Sequence, residues 1–320
     1  MKAIRVSKFG GPEELRLEEL PRPAPGAGEV LVRVAAAGVN PYEAYIRSGT
    51  YPSLPDLPYT PGSDGAGTVE AVGTGVDSVK PGDRVYIAGS LSGTYAEYAL
   101  ALEGKVRPLP GRVSFSQGAG VWVPCGTAYH ALTHQGGARE GETLLVHGAS
   151  GGVGGAAVQL GRAMGLKVLA TAGTQKGRDL ALRLGAHAVF DHTAPGYLKE
   201  IETACGGRGA DLVLEMLANV NLGADLKLLA KGGRVVVIGS RGEAVINPRD
   251  LMSRRGSIRA FTLWAITPQE EKEIHGALGA ALAGGTLVPE VGTEFPLARA
   301  AAAHAELMKP GRAGKLVLVP

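Results

Sequence analysis

The chain has 320 residues, with 33 Lys or Arg against 30 Asp or Glu; a net charge of +3 and no dense basic block exclude a nucleic-acid or membrane-surface protein driven by charge. Hydrophobic residues at 45% and charged residues at 20% are the proportions of a folded globular chain, and the length suggests two domains. Two cysteines, Cys125 and Cys205, exclude a disulfide scaffold and a four-cysteine zinc site.

Taken in order, residues 1 to about 120 are rich in Gly, Pro and short β-type runs. Met1–Val6 alternates as a strand and lacks the apolar core of a secretory signal, and no run approaches the roughly 18 apolar residues of a membrane span, so a cytoplasmic location is expected. Glu29–Val34, Gly67–Gly73 and Asp83–Ile87 read as further strands; Pro81-Gly82-Asp83 is a turn in which Pro presets φ and Gly accepts a positive one. These predict a small β-rich, barrel-like domain.

Beyond residue 120 strand-like runs alternate with helical ones. Strands are expected at Thr143–Gly148, Lys167–Ala172, Ala188–Asp191, Asp211–Met216 and Arg234–Ile238, with helices at Val153–Met164 and Gly177–Leu184. That order predicts a parallel sheet with crossover helices, its strands apolar because both faces are covered. After about residue 260 come a helix at Pro268–Ala283, a helix at Leu297–Met308 and a last strand at Lys315–Val319.

The most informative segment is Leu144–Gly154, in which a strand runs through a turn of small residues into a helix. The G-x-G-x-x-G fingerprint is present with Ala149 in its first position, followed by Ser150, Gly151, Gly152, Val153 and Gly154. Gly151 lets the backbone approach a pyrophosphate, Gly154 lets the helix pack close to the strand, and the helix N-terminus offers free N–H groups. No Gly-Lys-Ser/Thr follows, which excludes a P-loop. An NAD site places a carboxylate at the end of the second strand, on the ribose 2′-OH. Here that strand runs into Gly173-Thr174-Gln175-Lys176-Gly177-Arg178, with room for a 2′-phosphate and with Lys176 and Arg178 to pair with it. The expected cofactor is NADPH.

Ala37–Pro41 with Tyr45–Gly49, Pro61–Val69, Gly126–Tyr129, the glycine-rich turn and Gly314–Leu318 together resemble the medium-chain dehydrogenase/reductase superfamily, and within it the zinc-free quinone oxidoreductases of the ζ-crystallin group. The resemblance spans nearly the whole chain. It implies an α/β protein with a GroES-like catalytic domain (residues 1–120 and 262–320), a Rossmann domain (residues 121–261), a cleft between them and a homodimer. Zinc members carry Cys where this chain has Asn40 and a His-Glu pair where it has Ser63-Asp64, so no metal is expected. His130 and His134 lie four residues apart without the glutamate of an H-E-x-x-H motif and are expected to be structural.

The resemblance further implies that Asn40 donates to an acceptor carbonyl and that Tyr45, with Tyr51 as a second candidate, lines the same wall. Glu43 stands where relatives often have Asp. To the cofactor contacts it adds Thr127, Gly239, Ser240, Phe261, Thr262 and Leu263, with His192 stacking on the adenine or approaching the 2′-phosphate. Lys315 or Arg312 is expected at the phosphate end. Cys125 lacks a His–acid partner pattern and is expected to be structural. The implied reaction is zinc-independent hydride transfer from NADPH to a quinone. A double-bond reductase acting on enones, alkenals or enoyl thioesters is the alternative within the same scaffold. A low-turnover NADPH-binding structural or RNA-binding protein is the alternative of another class, and the absence of an aromatic–basic patch weighs against RNA.

Overall fold

The alternating segments of the first third form antiparallel ladders. The computed structural model describes residues 1–320. β1 (Lys2–Arg5) pairs with β2 (Arg16–Glu19). β3 (Glu29–Val39) is the spine of the larger sheet, burying Val30, Val32 and Val34. It leads into α1 (Pro41–Ser48), which has Pro at its start, where a missing N–H is harmless, and ends on Gly49 at φ 78°. β4 (Asp64–Val72), β5 (Arg84–Ala88), β6 (Tyr98–Leu102), β7 (Val106–Pro108) and the short α2 (Phe115–Gly118) follow. Gly38 permits a close approach within this unit, because a Cβ there would lie 2.1 Å from the Ala119 carbonyl oxygen.

Around Val121–Gly126 the chain forms a π-helical turn containing Pro124, whose missing N–H breaks the regular ladder. Cys125 is buried in this turn and forms no disulfide. α3 (Thr127–His130) precedes β8 (Thr143–Val146), α4 (Gly152–Ala163), β9 (Lys167–Thr171), α5 (Gln175–Arg183), β10 (Ala188–Phe190), α6 (Tyr197–Ala204), β11 (Ala210–Glu215), α7 (Ala218–Leu228), β12 (Leu229–Val237), α8 (Pro248–Arg254), β13 (Ser257–Ala260) and α9 (Pro268–Gly284). The six strands form one parallel sheet in the order β10-β9-β8-β11-β12-β13, a doubly wound sheet whose order reverses between β8 and β11. Leu144, Leu145 and Val146 are completely buried, as strands covered on both faces must be. Arg234 ties this sheet to its surroundings: its guanidinium pairs with Glu142 at 2.6 Å and donates to the carbonyls of Gly136, Gly137 and Asp211.

β14 (Val291–Pro296), α10 (Ala300–Leu307) and β15 (Lys315–Val319) complete the chain. β15 pairs antiparallel with β3, Leu316 opposite Val39, so the C-terminal strand belongs to the first sheet. The chain forms two compact units, residues 1–123 with 288–310 and 314–320, and residues 124–287 with 311–313. The return to the first unit falls after Leu287 and not at residue 262. The reason is α9, which packs against α3 and buries Ile274, Leu278 and Leu282 at four-residue intervals. No helix is long and apolar enough to cross a membrane.

Candidate functional site

In the parallel unit the expected cofactor residues mostly follow the carboxyl ends of strands, and parallel strands place all those ends on one edge. Ala149–Gly154 follows β8, Gly173–Arg178 follows β9, His192 follows β10, Gly239 and Ser240 follow β12, and Phe261–Leu263 follows β13. Local contacts draw several of them together. A Cβ on Gly177 would lie 3.0 Å from the Ser150 Cβ, one on Gly173 would lie 2.7 Å from His192 Nε2, and one on Gly239 would lie 2.6 Å from the Met216 carbonyl oxygen. Ser150 Oγ donates to the Arg312 carbonyl at 3.0 Å, which brings residues 311–313 to the turn. Thr127 and Phe261 form a second group around α3: Thr127 is buried at its first turn, and the Phe261 ring lies 4.4 Å from that of His130. Leu263 is buried, whereas Thr262 and Ser240 are exposed, the latter donating to the Gly242 carbonyl.

The turn suits a dinucleotide. Beside Gly151 a Cβ would meet only the Gly148 carbonyl oxygen at 3.5 Å, so space is open where a pyrophosphate approaches. A Cβ on Gly154 would lie 2.3 Å from that oxygen and 2.7 Å from Ala149 Cα, so α4 packs against the turn only because this residue is glycine. The first N–H groups of α4 point past Gly151, where an anion is favoured.

Two cations expected at the 2′-position differ in their freedom. Lys176 is exposed and has no partner. Arg178 pairs with Asp191 at 2.5 Å and also donates to Gln175, so its guanidinium is committed within the protein. Asp191 lies just beyond β10, outside the stretch after β9 where the sequence signal for this site is sought. A buried cluster beneath the turn likewise carries no sequence signal. His147 Nε2 lies 2.9 Å from Asp225 and 3.7 Å from Glu215, while Nδ1 faces Thr171 Oγ1 at 3.1 Å. Burial lowers the His147 pKa, but its bond to Asp225 and both carboxylate charges raise it to a net increase; burial pushes Glu215 up to about 7. These donor atoms lie within 4.8 Å of one another, and the direct His147–Asp225 hydrogen bond closes the cluster.

In the β-rich unit the sequence expectations need two corrections. Asn40 is 1% exposed. Its amide donates to Glu43 Oε1 at 3.4 Å and to Asp64 Oδ2 at 3.2 Å, and its oxygen accepts from the Lys315 ammonium, so it has no amide hydrogen left for an acceptor carbonyl. Lys315 is also buried, 3.7 Å from Asp64, and it donates to Asn40, which draws its ammonium into this group and away from the cofactor phosphate expected for it. Tyr45 is half-buried with its hydroxyl unpartnered, and the Tyr51 ring lies 6.0 Å from that of Tyr42.

Ser63, read from the sequence only as a position without a zinc ligand, and Tyr42, which no sequence motif singles out, line an open pocket of about 350 Å³ together with Glu43, Ile46, Leu54 and Tyr59. Their hydroxyls are hydrogen-bonded to each other. Burial raises Glu43 against the lowering effects of Lys315 and its hydrogen bonds, and it raises Asp64 to about 6. This donor set does not fit zinc. It contains neither His nor Cys, and an ammonium already sits against Asn40 and Asp64 where a cation would be held. His130 and His134 stack at 5.0 Å and face Glu270, the first at 3.3 Å, which places them in the contact between α3 and α9.

A doubly wound sheet with a glycine-rich turn at its reversal point, joined in one chain to a separate β-rich unit, defines the class of the medium-chain dehydrogenases/reductases. The alcohol dehydrogenase GroES-like domain matches residues 26–111, and the zinc-binding dehydrogenase domain matches residues 152–278. Quinone oxidoreductase of Rattus norvegicus is 50% identical over 100% of this chain and 98% of its own. The quinone oxidoreductase of Thermus thermophilus, solved alone and with NADPH, is 37% identical with a TM-score of 0.88 over the full length of both chains. A solved NAD-dependent alcohol dehydrogenase is 32% identical with a TM-score of 0.94, again over both full chains. The chain belongs to the quinone oxidoreductase family of this superfamily.

Proposed function

We propose that this chain is an NADPH:quinone oxidoreductase that works without zinc. The observation that carries the reading is the 50% identity to a quinone oxidoreductase over the whole chain. When bound, the dihydronicotinamide supplies the hydride; the protein supplies binding and orientation. Ala149–Gly154 accept the pyrophosphate, and Lys176 faces the 2′-phosphate beside Gly173 and Thr174. His192 closes the adenine side, while Thr127, Gly239, Ser240 and Phe261–Leu263 line the remainder. In the other unit Tyr45, Tyr51 and the hydroxyls of Tyr42 and Ser63 meet the acceptor, and Asn40 and Lys315 hold the buried charges behind them.

NADPH is favoured over NADH because no carboxylate follows β9 directly and Lys176 is unpaired there. Lys176→Ala is expected to weaken NADPH binding roughly tenfold, about 1.4 kcal/mol, and to leave NADH unchanged. Titration of both nucleotides checks this, and an unchanged ratio would remove Lys176 from the site.

NADPH oxidation by chelator-treated protein, scanned across quinones and enones, tests the function. Rapid turnover with quinones supports it, and turnover with enones alone would move the activity to double-bond reduction. Tight NADPH binding without turnover would favour a binding protein. Chelation is expected to leave the rate unchanged; one zinc per chain whose removal stops turnover would overturn the zinc-free reading.

We further propose a cytoplasmic homodimer. Two buried cysteines that form no disulfide suit a reducing compartment. Val220, Val245 and Met252, on and between α7 and α8, are strongly exposed apolar side chains, of the kind a second copy would cover.

A further inference from the structure

Hydride transfer alone leaves a reduced quinone as an anion, and the reaction is completed by a proton. We propose that Glu43 stores that proton and delivers it through Ser63 and Tyr42 to the acceptor in the pocket beside them, an inference that rests on the quinone-reductase reading.

The path is continuous. Tyr42 and Ser63 hydroxyls are bonded to each other at the pocket wall, and Ser63 Oγ lies 3.5 Å from Glu43 Oε1. On the far side Tyr95 OH lies 2.8 Å from Glu43 Oε2 and 3.1 Å from His304 Nε2. Asn40 joins Glu43 to Asp64 and Lys315. The buried charges are two carboxylates, Glu43 and Asp64, and two cations: Lys315, which is bonded into the Asn40–Asp64 group, and Arg47, one helical turn from Glu43, whose charge acts on His304 and Tyr59. Glu43 is almost closed to water, and a proton held there removes a buried negative charge beside the pocket. Glu43 is the carboxylate in reach of the pocket hydroxyls; Asp64 faces Lys315, Asn40 and the Val123 N–H instead. Tyr95 and Tyr59 face Glu43 as neutral phenols, their pKa values raised by burial first and by Glu43 second. Burial, then the Arg47 charge, push the His304 pKa down to about 3, so its imidazole holds no extra proton to pass through Tyr95 to Glu43.

The step balances. The acceptor gains two electrons and one hydrogen nucleus with the hydride, and the nicotinamide is oxidised. A new O–H bond forms between the anionic hydroquinone oxygen and the Tyr42 proton. Ser63 reprotonates Tyr42, Glu43 reprotonates Ser63, and the Glu43 carboxylate takes a proton from water through the pocket.

Quinone reduction is followed by full-length wild-type, Glu43→Gln and Tyr42→Phe proteins across pH, in H2O and D2O. Wild type is expected to show a solvent isotope effect and a limb at which kcat falls as pH rises. Both variants are expected to lose at least tenfold in kcat and to lose that limb, with NADPH affinity unchanged. The loss is expected to be smallest for quinones whose hydroquinones are the strongest acids. Tyr42→Phe keeps the test decisive if Glu43→Gln does not fold. Variants that keep the wild-type kcat, limb and isotope effect, or that change only KM and thermal stability, would overturn the proposal while quinone reduction stands. Wild-type protein inert toward every quinone would overturn the reading on which it rests.

Discussion

Gly154→Ala is expected to weaken NADPH binding by at least tenfold and to destabilise the parallel unit by about 1–3 kcal/mol, the range for forcing an extra carbon into a packed interior. The added Cβ would lie 2.3 Å from the Gly148 oxygen, 2.7 Å from Ala149 Cα and 2.9 Å from the Gly148 carbonyl carbon. All three are backbone atoms of the turn, so no side chain can swing aside. Either α4 moves away from β8 or the turn opens, and both displace the N–H groups meant for a pyrophosphate. Gly151→Ala separates the two roles of glycine in this motif. Its Cβ meets only one protein atom, at 3.5 Å, so the melting temperature is expected to hold while NADPH affinity falls, because the space the methyl takes is the ligand's. Calorimetry and nucleotide titration of both variants check this. A Gly154→Ala protein with wild-type affinity and wild-type melting would show that the turn is not the binding element.

What the sequence made legible was local. The turn after β8 announced itself because strand, small residues and helix are contiguous, and its position at the sheet's reversal follows from the order of strands. Lys176 stood out because no acidic residue stands between the end of β9 and Arg178. Contacts between distant segments were not legible. Arg178 looked like a free phosphate ligand because Asp191, which holds it, arrives only when β10 pairs beside β9. Asn40 looked like a donor to the acceptor because, beside the neighbouring Glu43, the groups that occupy its amide are Asp64 and Lys315, which come from another strand and from the far end of the chain. His147, Glu215 and Asp225 carry no spacing signal, since parallel strands and a crossover helix bring them together. The periodicity of α9 revealed which face it buries but not that the face belongs against α3.

His304 is expected to make the β-rich unit acid-labile in a way a single substitution removes. Its ring is fully buried, its edge meets the Tyr95 ring at 5.7 Å, and Nδ1 has no partner. Burial, then the nearby Arg47 charge, push its pKa down to about 3. The unfolded chain binds a proton there near pH 6.5, so the unfolded state holds more protons between these values and stability is lost as pH falls. The loss begins below about pH 6.5, reaches about 2 kcal/mol at pH 5 and levels near 5 kcal/mol below about pH 3. Asp64, raised to about 6, acts in the opposite sense: it takes up its proton in the folded state first and so stabilises that state on acidification, by up to about 3 kcal/mol. Glu43, also raised, has the same sign as Asp64. The wild-type profile therefore mixes opposing contributions, and the difference between two proteins isolates one. His304→Phe keeps the ring and the Tyr95–Glu43 bond but cannot take a proton. Urea unfolding at pH 7.5 and pH 5 is expected to show that the variant loses about 2 kcal/mol less than wild type over that interval. Parallel profiles would mean that His304 is protonated as readily in the folded protein as in the unfolded chain, and the buried neutral imidazole behind Tyr95 would have to be abandoned.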